Sequence, residues 1–286
     1  MTDVVTNARE AFSRCEQLRR SGHRIGFVPT MGALHEGHIS LVRAAEDHGA
    51  TKSVMSIFVN PLQFGPTEDF SRYPRTFEAD IAKATAAGVD FVYAPAPASM
   101  YPPGFETHVE VEQVTRRFEG QFRPTHFRGV TTVVLKLFMA IGPCVAVFGR
   151  KDYQQWKTLE RMTVDLDLPI EVVGAPILRD ADGLAMSSRN RYLDQTARAR
   201  ALAIVRGLRA AFDAHGAGLR SPSALAALVR KEVERDFDRI DYVESAAPDS
   251  LGELDGDTNE QVLLVAAHLG TTRLIDNLCL GRDSRP

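Results

Sequence analysis

An α/β fold, with a doubly wound parallel sheet and a smaller α+β C-terminal domain, is what three features of this 286-residue sequence predict. As far as Ala175, short and almost wholly apolar runs alternate with amphipathic stretches, as strands buried on both faces and their covering helices require. Beyond Pro176, two helix-like stretches come before three strand-like ones in a row, the order of an α+β unit. There is no internal repeat or low-complexity linker, and the length suits one or two domains. The predicted domains are residues 1–177 and 178–286.

The elements follow from local pattern. Residues 25–28 are an apolar run closed by Pro29 and read as a buried strand. Residues 39–48 place Leu41, Val42 and Ala45 on one helical face, and residues 53–59 form a second strand ended by Asn60-Pro61. A helix over 77–87 is stopped by Gly88 and followed by a strand over 89–93. Pro95, Pro97, Pro102 and Pro103 mark a loop. A helix over 129–141 stops at Gly142-Pro143, then come a strand at 145–148, a helix at 153–166 and a strand at 170–173. In the second domain, helices over 197–215 and 221–236 precede strands over 240–245, 262–269 and 272–280.

Composition narrows the function classes. Thirty-four basic side chains face 37 acidic ones, and the net charge is −1 up to Ala175 and −2 after it. Neither part is a basic module, so no nucleic-acid partner is expected. Cys15, Cys144 and Cys279 are far apart in no metal or redox spacing, which predicts reduced thiols and a cytoplasmic location. The first ten residues do not read as a signal peptide. The most apolar stretch, 131–148, is broken by Lys136 and Gly142-Pro143, so no membrane span is expected.

Four segments carry chemistry. Between the first strand and the next helix lies Pro29-Thr30-Met31-Gly32-Ala33-Leu34-His35-Glu36-Gly37-His38. Its glycines let backbone approach a ligand closely, and the helix start that follows suits a phosphate. His35 and His38, three apart, would share a face in a first helical turn and could donate to phosphate oxygens. The zinc-protease pattern needs i,i+4 histidines, and these are i,i+3; the same spacing also suits two capping or surface histidines. Gly149-Arg150-Lys151-Asp152 follows another strand, where Lys151 could meet a phosphate and Asp152 could cap the next helix. Asn60-Pro61-Leu62-Gln63 offers two amides at a strand end, although Asn-Pro is also an ordinary turn. Met186-Ser187-Ser188-Arg189 combines two hydroxyls and a guanidinium, which suits a phosphate clamp or a simple helix cap.

Together the blocks PTMGALHEGH, SIFVNPLQF, RYPRT, HFRGV, GRKDYQQ and DGLAMSSRN resemble the pantothenate synthetase (pantoate–β-alanine ligase) family, from about Gly26 to Leu193. That family belongs to the HIGH-motif nucleotidyltransferase superfamily, and His35-Glu36-Gly37-His38 is similar to its signature. The resemblance implies a Rossmann-like first domain and a second domain closing over the ATP site. It also implies condensation of (R)-pantoate with β-alanine, through pantoyl adenylate, to pantothenate, AMP and pyrophosphate. By resemblance, Met31, Gly32, Ala33, Leu34, His35, Glu36, Gly37 and His38 hold ATP, with His38 as proton donor and His35 stabilising charge on the triphosphate. Gly149, Arg150, Lys151, Asp152, Leu178, Met186, Ser187, Ser188 and Arg189 complete that site, with Lys151 on phosphate. Gln63 and Gln155 hold pantoate, Gln63 also serves β-alanine, and Asn60 and Arg123 line or close the cavity. Arg150 stands where members often have Glu or Gln, which adds positive charge near the nucleotide. Mg²⁺ accompanying ATP and a homodimer are implied as well. The alternative class is a nucleotidyltransferase acting on a phosphate acceptor, which calls for cations where Gln63 and Gln155 stand. A tRNA-binding relic calls for a basic appended domain, and a non-catalytic nucleotide binder could use the same histidines and lysine.

Overall fold

The structure, a computed structural model, describes residues 2–66 and 68–286. In chain order the first part comprises β1 (Asp3–Val5), α1 (Ala8–Arg20), β2 (Ile25–Thr30), α2 (Glu36–Asp47), β3 (Lys52–Ile57), α3 (Phe77–Ala86) and β4 (Phe91–Tyr93). The short helices α4 (Pro97–Met100) and α5 (Glu119–Phe122) come next, then α6 (His126–Ile141), β5 (Cys144–Gly149), α7 (Tyr153–Asp165) and β6 (Ile170–Ala175). The six strands form one parallel sheet in the order β1-β4-β3-β2-β5-β6.

Alternation along β2 explains the two-sided covering. Val28 joins Met55, Val92 and Val147 under α2 and α3, which contribute Leu41, Val42, Ala45 and Ala84. On the other face Phe27 meets Phe138 of α6 at 6.4 Å, and Phe138 meets Phe148 at 6.3 Å, both edge-on. Helix α1, capped by Asn7, packs beside α6. Sequence pattern did not reveal β1 and α1, for α1 fully buries only Ala11 and Cys15. The proline-marked loop also contains a helix, α4, with Pro97 in its first turn, a position where proline fits.

The strand order reverses between β2 and β5, and in open parallel sheets ligands gather beyond the carboxyl ends at such a point. β2 delivers the 31–38 segment there, and β5 delivers Gly149.

The chain divides into two compact units, the first holding Gln155–Pro176 with everything up to Arg150. The second comprises Lys151–Gln154 and Ile177–Pro286, so its main segment starts one residue before the expected 178 and it gains four residues that follow β5. It contains α8 (Gln195–Gly216), α9 (Pro222–Asp236) and the antiparallel sheet β7 (Arg239–Ala246), β8 (Gln261–Leu269) and β9 (Thr272–Leu280). One face of this sheet packs Leu263, Val265, Leu274 and Leu278 against Ile204, Leu208, Leu225 and Val229 of the helices. Among the described residues no helix is long and apolar enough to cross a membrane. Cys15, Cys144 and Cys279 are buried and none is in a disulfide.

Candidate active site

After β2 the chain turns through residues 31–35 into α2. Gly32 has φ +80° and Ala33 φ +51°, the latter uncommon for a residue with a Cβ. Helix α2 begins at Glu36, so His35 is its extended N-cap and not part of a first turn. The His35 Nδ1 accepts the Gly37 N–H at 3.1 Å, and the His38 Nδ1 accepts the His35 N–H at 3.3 Å. The rings thus sit side by side, centroids 4.1 Å apart, because they cap the helix reciprocally. A ring nitrogen that accepts a backbone N–H carries no proton, so each neutral imidazole holds its proton on Nε2.

The backbone donors expected to meet a phosphate here are largely occupied. The Gly32 N–H donates to Thr30 Oγ1 at 3.2 Å, and those of Ala33 and Leu34 donate to Asp80 at 2.9 and 2.8 Å. The His38 N–H donates to the His35 carbonyl at 2.8 Å. The imidazole Nε2–H groups add to the donors at this helix start.

β3 leads into a 3₁₀ turn, Pro61–Gln63, capped by Asn60. Two backbone groups fix the sense of the Asn60 amide: Oδ1 accepts the Leu62 N–H at 3.3 Å, and Nδ2 donates to the Gly129 carbonyl at 3.1 Å. Nδ2 also donates to Gln63 Oε1 at 3.1 Å, which turns the Gln63 Nε2 toward Met31 Sδ, 3.1 Å away. Tyr101 OH donates to Asn60 Oδ1 at 2.7 Å. The structure therefore brings Met31, Asn60 and Gln63 together and adds Tyr101, which nothing in the local sequence pattern singles out.

Gly129 permits this seating. A Cβ there would lie 2.2 Å from the Leu62 carbonyl oxygen and 2.7 Å from the Gln63 nitrogen. Gly129→Ala is expected to displace the Gln63 turn, lowering stability by about 2 kcal/mol. Chemical denaturation checks this, and a variant as stable as the parent would show that α6 does not seat the turn.

Arg123, expected to line or close the substrate cavity, is engaged within the protein. Its Nε and Nη2 grip both Glu68 oxygens at 2.8 and 2.7 Å, Nη1 reaches Glu119 at 3.2 Å, and Nη2 also donates to the Gln63 carbonyl at 3.2 Å. Burial opposes the Glu68 charge, but the Arg123 hydrogen bonds and charge hold its carboxyl below the usual range. His126 Nδ1 donates to the same Gln63 carbonyl at 2.9 Å. Burial, reinforced by the Arg123 charge, pushes His126 down to about 4. Its folded value lies below the unfolded ~6.5, so the unfolded chain binds the extra proton between those values. Stability is therefore complete above pH ~6.5 and falls as pH drops toward about 4, with a slope approaching ~1.4 kcal/mol per pH unit. Urea midpoints measured across that window should fall less steeply in His126→Gln; equal slopes would contradict the assignment.

At the end of β5, Gly149 has open space around its Cα, and Arg150–Asp152 form a 3₁₀ turn running straight into α7. Asp152, the expected cap of α7, is the last residue of that turn, and its carboxylate lies 3.9 Å from Lys151 Nζ. Gln155 is half-buried in the first turn of α7.

Within the second unit, Leu178 and Met186 face each other: the Met186 N–H donates to the Leu178 carbonyl at 2.9 Å, closing a hairpin. Arg179 ties that hairpin to Asp276 of β9 at 2.7 and 3.1 Å, and Asn277 Nδ2 donates to the Lys151 carbonyl at 2.9 Å. Adjacent β9 residues thus hold two of the expected nucleotide segments. Motif reading missed them, because they lie 97 and 126 residues from what they hold. Ser187 caps the 3₁₀ turn Ser188–Tyr192, its Oγ accepting the Arg189 N–H at 3.2 Å.

The family model described as pantoate-beta-alanine ligase matches residues 3–279. A pantothenate synthetase of Syntrophotalea carbinolica is 50% identical over 276 residues, covering 96% of this chain and 97% of that protein. The crystal structure of pantothenate synthetase from Thermus thermophilus superposes with a TM-score of 0.90 at 43% identity, covering 97% of this chain and 99% of that one. Pantoate-beta-alanine ligase from Francisella tularensis, complexed with beta-gamma ATP and beta-alanine, superposes with a TM-score of 0.81 at 30% identity over the full length of both chains. With fold, strand-end segments and full-length identity in agreement, the chain belongs to the pantoate–β-alanine ligase family.

Proposed function

We propose that the chain is a ligase that condenses (R)-pantoate with β-alanine to pantothenate, cleaving ATP to AMP and pyrophosphate through pantoyl adenylate. A pantoate carboxylate oxygen attacks the α-phosphorus and pyrophosphate leaves. The β-alanine amine then attacks the acyl carbon, and the activated oxygen departs with AMP. Activation is needed because a carboxylate has no leaving group that an amine can displace. The observation that carries this reading is the pair of capped imidazoles at the strand-order switch, with Nε2–H donors suited to charge developing on a triphosphate.

In this reading His38 donates a proton or hydrogen bond as pyrophosphate departs, and His35 stabilises triphosphate charge. Lys151 meets phosphate, and Gly149, Arg150, Asp152, Leu178 and Met186 to Arg189 serve ATP, on the strength of the family resemblance. Gln63 and Gln155 hold pantoate. The sense of the Gln63 amide, with Oε1 taken by Asn60, makes it a donor suited to a carboxylate or hydroxyl oxygen. Arg123, committed to Glu68 and Glu119, shapes the cavity by holding the Gln63 turn. Among the described residues there is no cluster of three or more His, Cys, Asp or Glu to cage a metal. No residue is assigned to Mg²⁺, which the proposal carries as the counter-ion of the ATP phosphates. A homodimer is part of the same proposal.

Pyrophosphate release tests it directly. With ATP, pantoate and Mg²⁺, release should depend on pantoate, and AMP with pantothenate should accumulate only when β-alanine is added. Release indifferent to pantoate would remove the ligase reading and favour a nucleotidyltransferase.

A further inference from the structure

The turn between β2 and α2 is held in an uncommon shape by one side chain outside every expected motif. Asp80, on α3, is 1% exposed. Its Oδ2 accepts the Ala33 N–H at 2.9 Å and its Oδ1 the Leu34 N–H at 2.8 Å, while Thr76 Oγ1 donates to Oδ2 at 3.1 Å. One turn further along α3, Lys83 Nζ donates to the Leu34 carbonyl at 2.5 Å. Thr76, Asp80 and Lys83 follow the i, i+4, i+7 spacing of one helical stripe, so α3 grips the turn from a single face.

The grip opposes a local cost. Ala33 at φ +51° lies in the left-handed region, which a residue with a Cβ enters only at a steric cost. Two buried N–H groups at 33 and 34 would cost more still if left without acceptors. The fit is close: a Cβ on Gly32 would come within 3.0 Å of Asp80 Oδ2. Because the turn leads directly into His35, its shape sets where the capped imidazole pair stands.

The geometry points to Asp80 as a positioning residue that fixes the 31–35 turn, and through it the His35–His38 pair, in the form that meets the nucleotide. This rests on the ligase reading. The carboxyl group touches no reacting atom; it acts through the backbone of Ala33 and Leu34.

The test compares Asp80→Asn with a control, Asp90→Asn. Asp90 has a similar bond set at the amino end of the strands, to Lys52 Nζ at 2.7 Å and the Ser53 N–H at 2.8 Å. In substrate-free protein, Asp80→Asn is expected to speed amide exchange at Ala33 or Leu34 by about a hundredfold, with the Asp90 variant unchanged at both. In the ligase assay, KM for ATP should rise or kcat fall by about tenfold in Asp80→Asn, while KM for pantoate stays within about twofold. Parent-like exchange at both amides, equal losses in the two variants, or an unchanged ATP response would overturn the proposal. Should Asp80→Asn fail to fold, Thr76→Val removes only one bond to Oδ2; a KM for ATP about threefold higher is expected, and no change would count against the grip. A parent protein inactive on ATP and pantoate would sink the ligase reading, yet amide exchange would still judge Asp80.

Discussion

Replacing His38 with alanine is expected to lower turnover by at least ~10²-fold in a protein that still folds, the usual size for losing one donor to developing charge. Alanine removes two things at once: the Nε2–H donor and the Nδ1 acceptor that caps the His35 N–H. The cap alone is worth about 1 kcal/mol of stability. His38→Asn separates the two, since an amide oxygen can stand near the Nδ1 position while no donor reaches the Nε2 position. It should recover stability and remain slow. Full turnover in His38→Asn would mean that capping, and not donation, is what the imidazole supplies.

Lys151→Ala is expected to cost a similar factor, about 10² or more in kcat, with stability within about 0.5 kcal/mol of the parent. The stability expectation follows from its surroundings. Its ion pair with Asp152 spans 3.9 Å to a half-exposed carboxylate, a contact of little net value. Its backbone carbonyl is held by Asn277 whatever side chain stands at 151. A cation so lightly committed within the protein is available to phosphate. Near-parent kcat would show that Lys151 does not meet the triphosphate, and unfolding would show that its role is structural.

Most of the sheet was legible because β2, β3, β5 and β6 are apolar runs bounded by glycine, proline or asparagine. β9 matched residue for residue, at Thr272–Leu280. β1 was not, since three residues at a sheet edge carry no period. Helix α6 starts at His126, three residues before the expected 129, because Gly129 and its neighbours continue a turn that the glycine suggested would begin there. Of the candidate site, the sequence offers a reading where one segment carries its own chemistry, as in the 29–38 block. It offers none where the chemistry depends on distant partners. Asp80 lies 46 residues from Leu34, and Tyr101 lies 41 from Asn60. Asp276 lies 97 from Arg179. Spacing rules describe neighbours on one element and are silent about such pairs. The occupied state of the Ala33 and Leu34 N–H groups was hidden for the same reason, because their acceptor, Asp80, sits on α3.

The most direct test of the chemistry follows the oxygen atoms. Pantoate labelled with oxygen-18 in its carboxylate is turned over with ATP and β-alanine, and the AMP is examined by mass spectrometry. If the acid is adenylylated, one labelled oxygen per turnover leaves with AMP and the other stays in the new amide carbonyl. Unlabelled AMP, with the label in inorganic phosphate or water, would contradict attack of the carboxylate on the α-phosphorus.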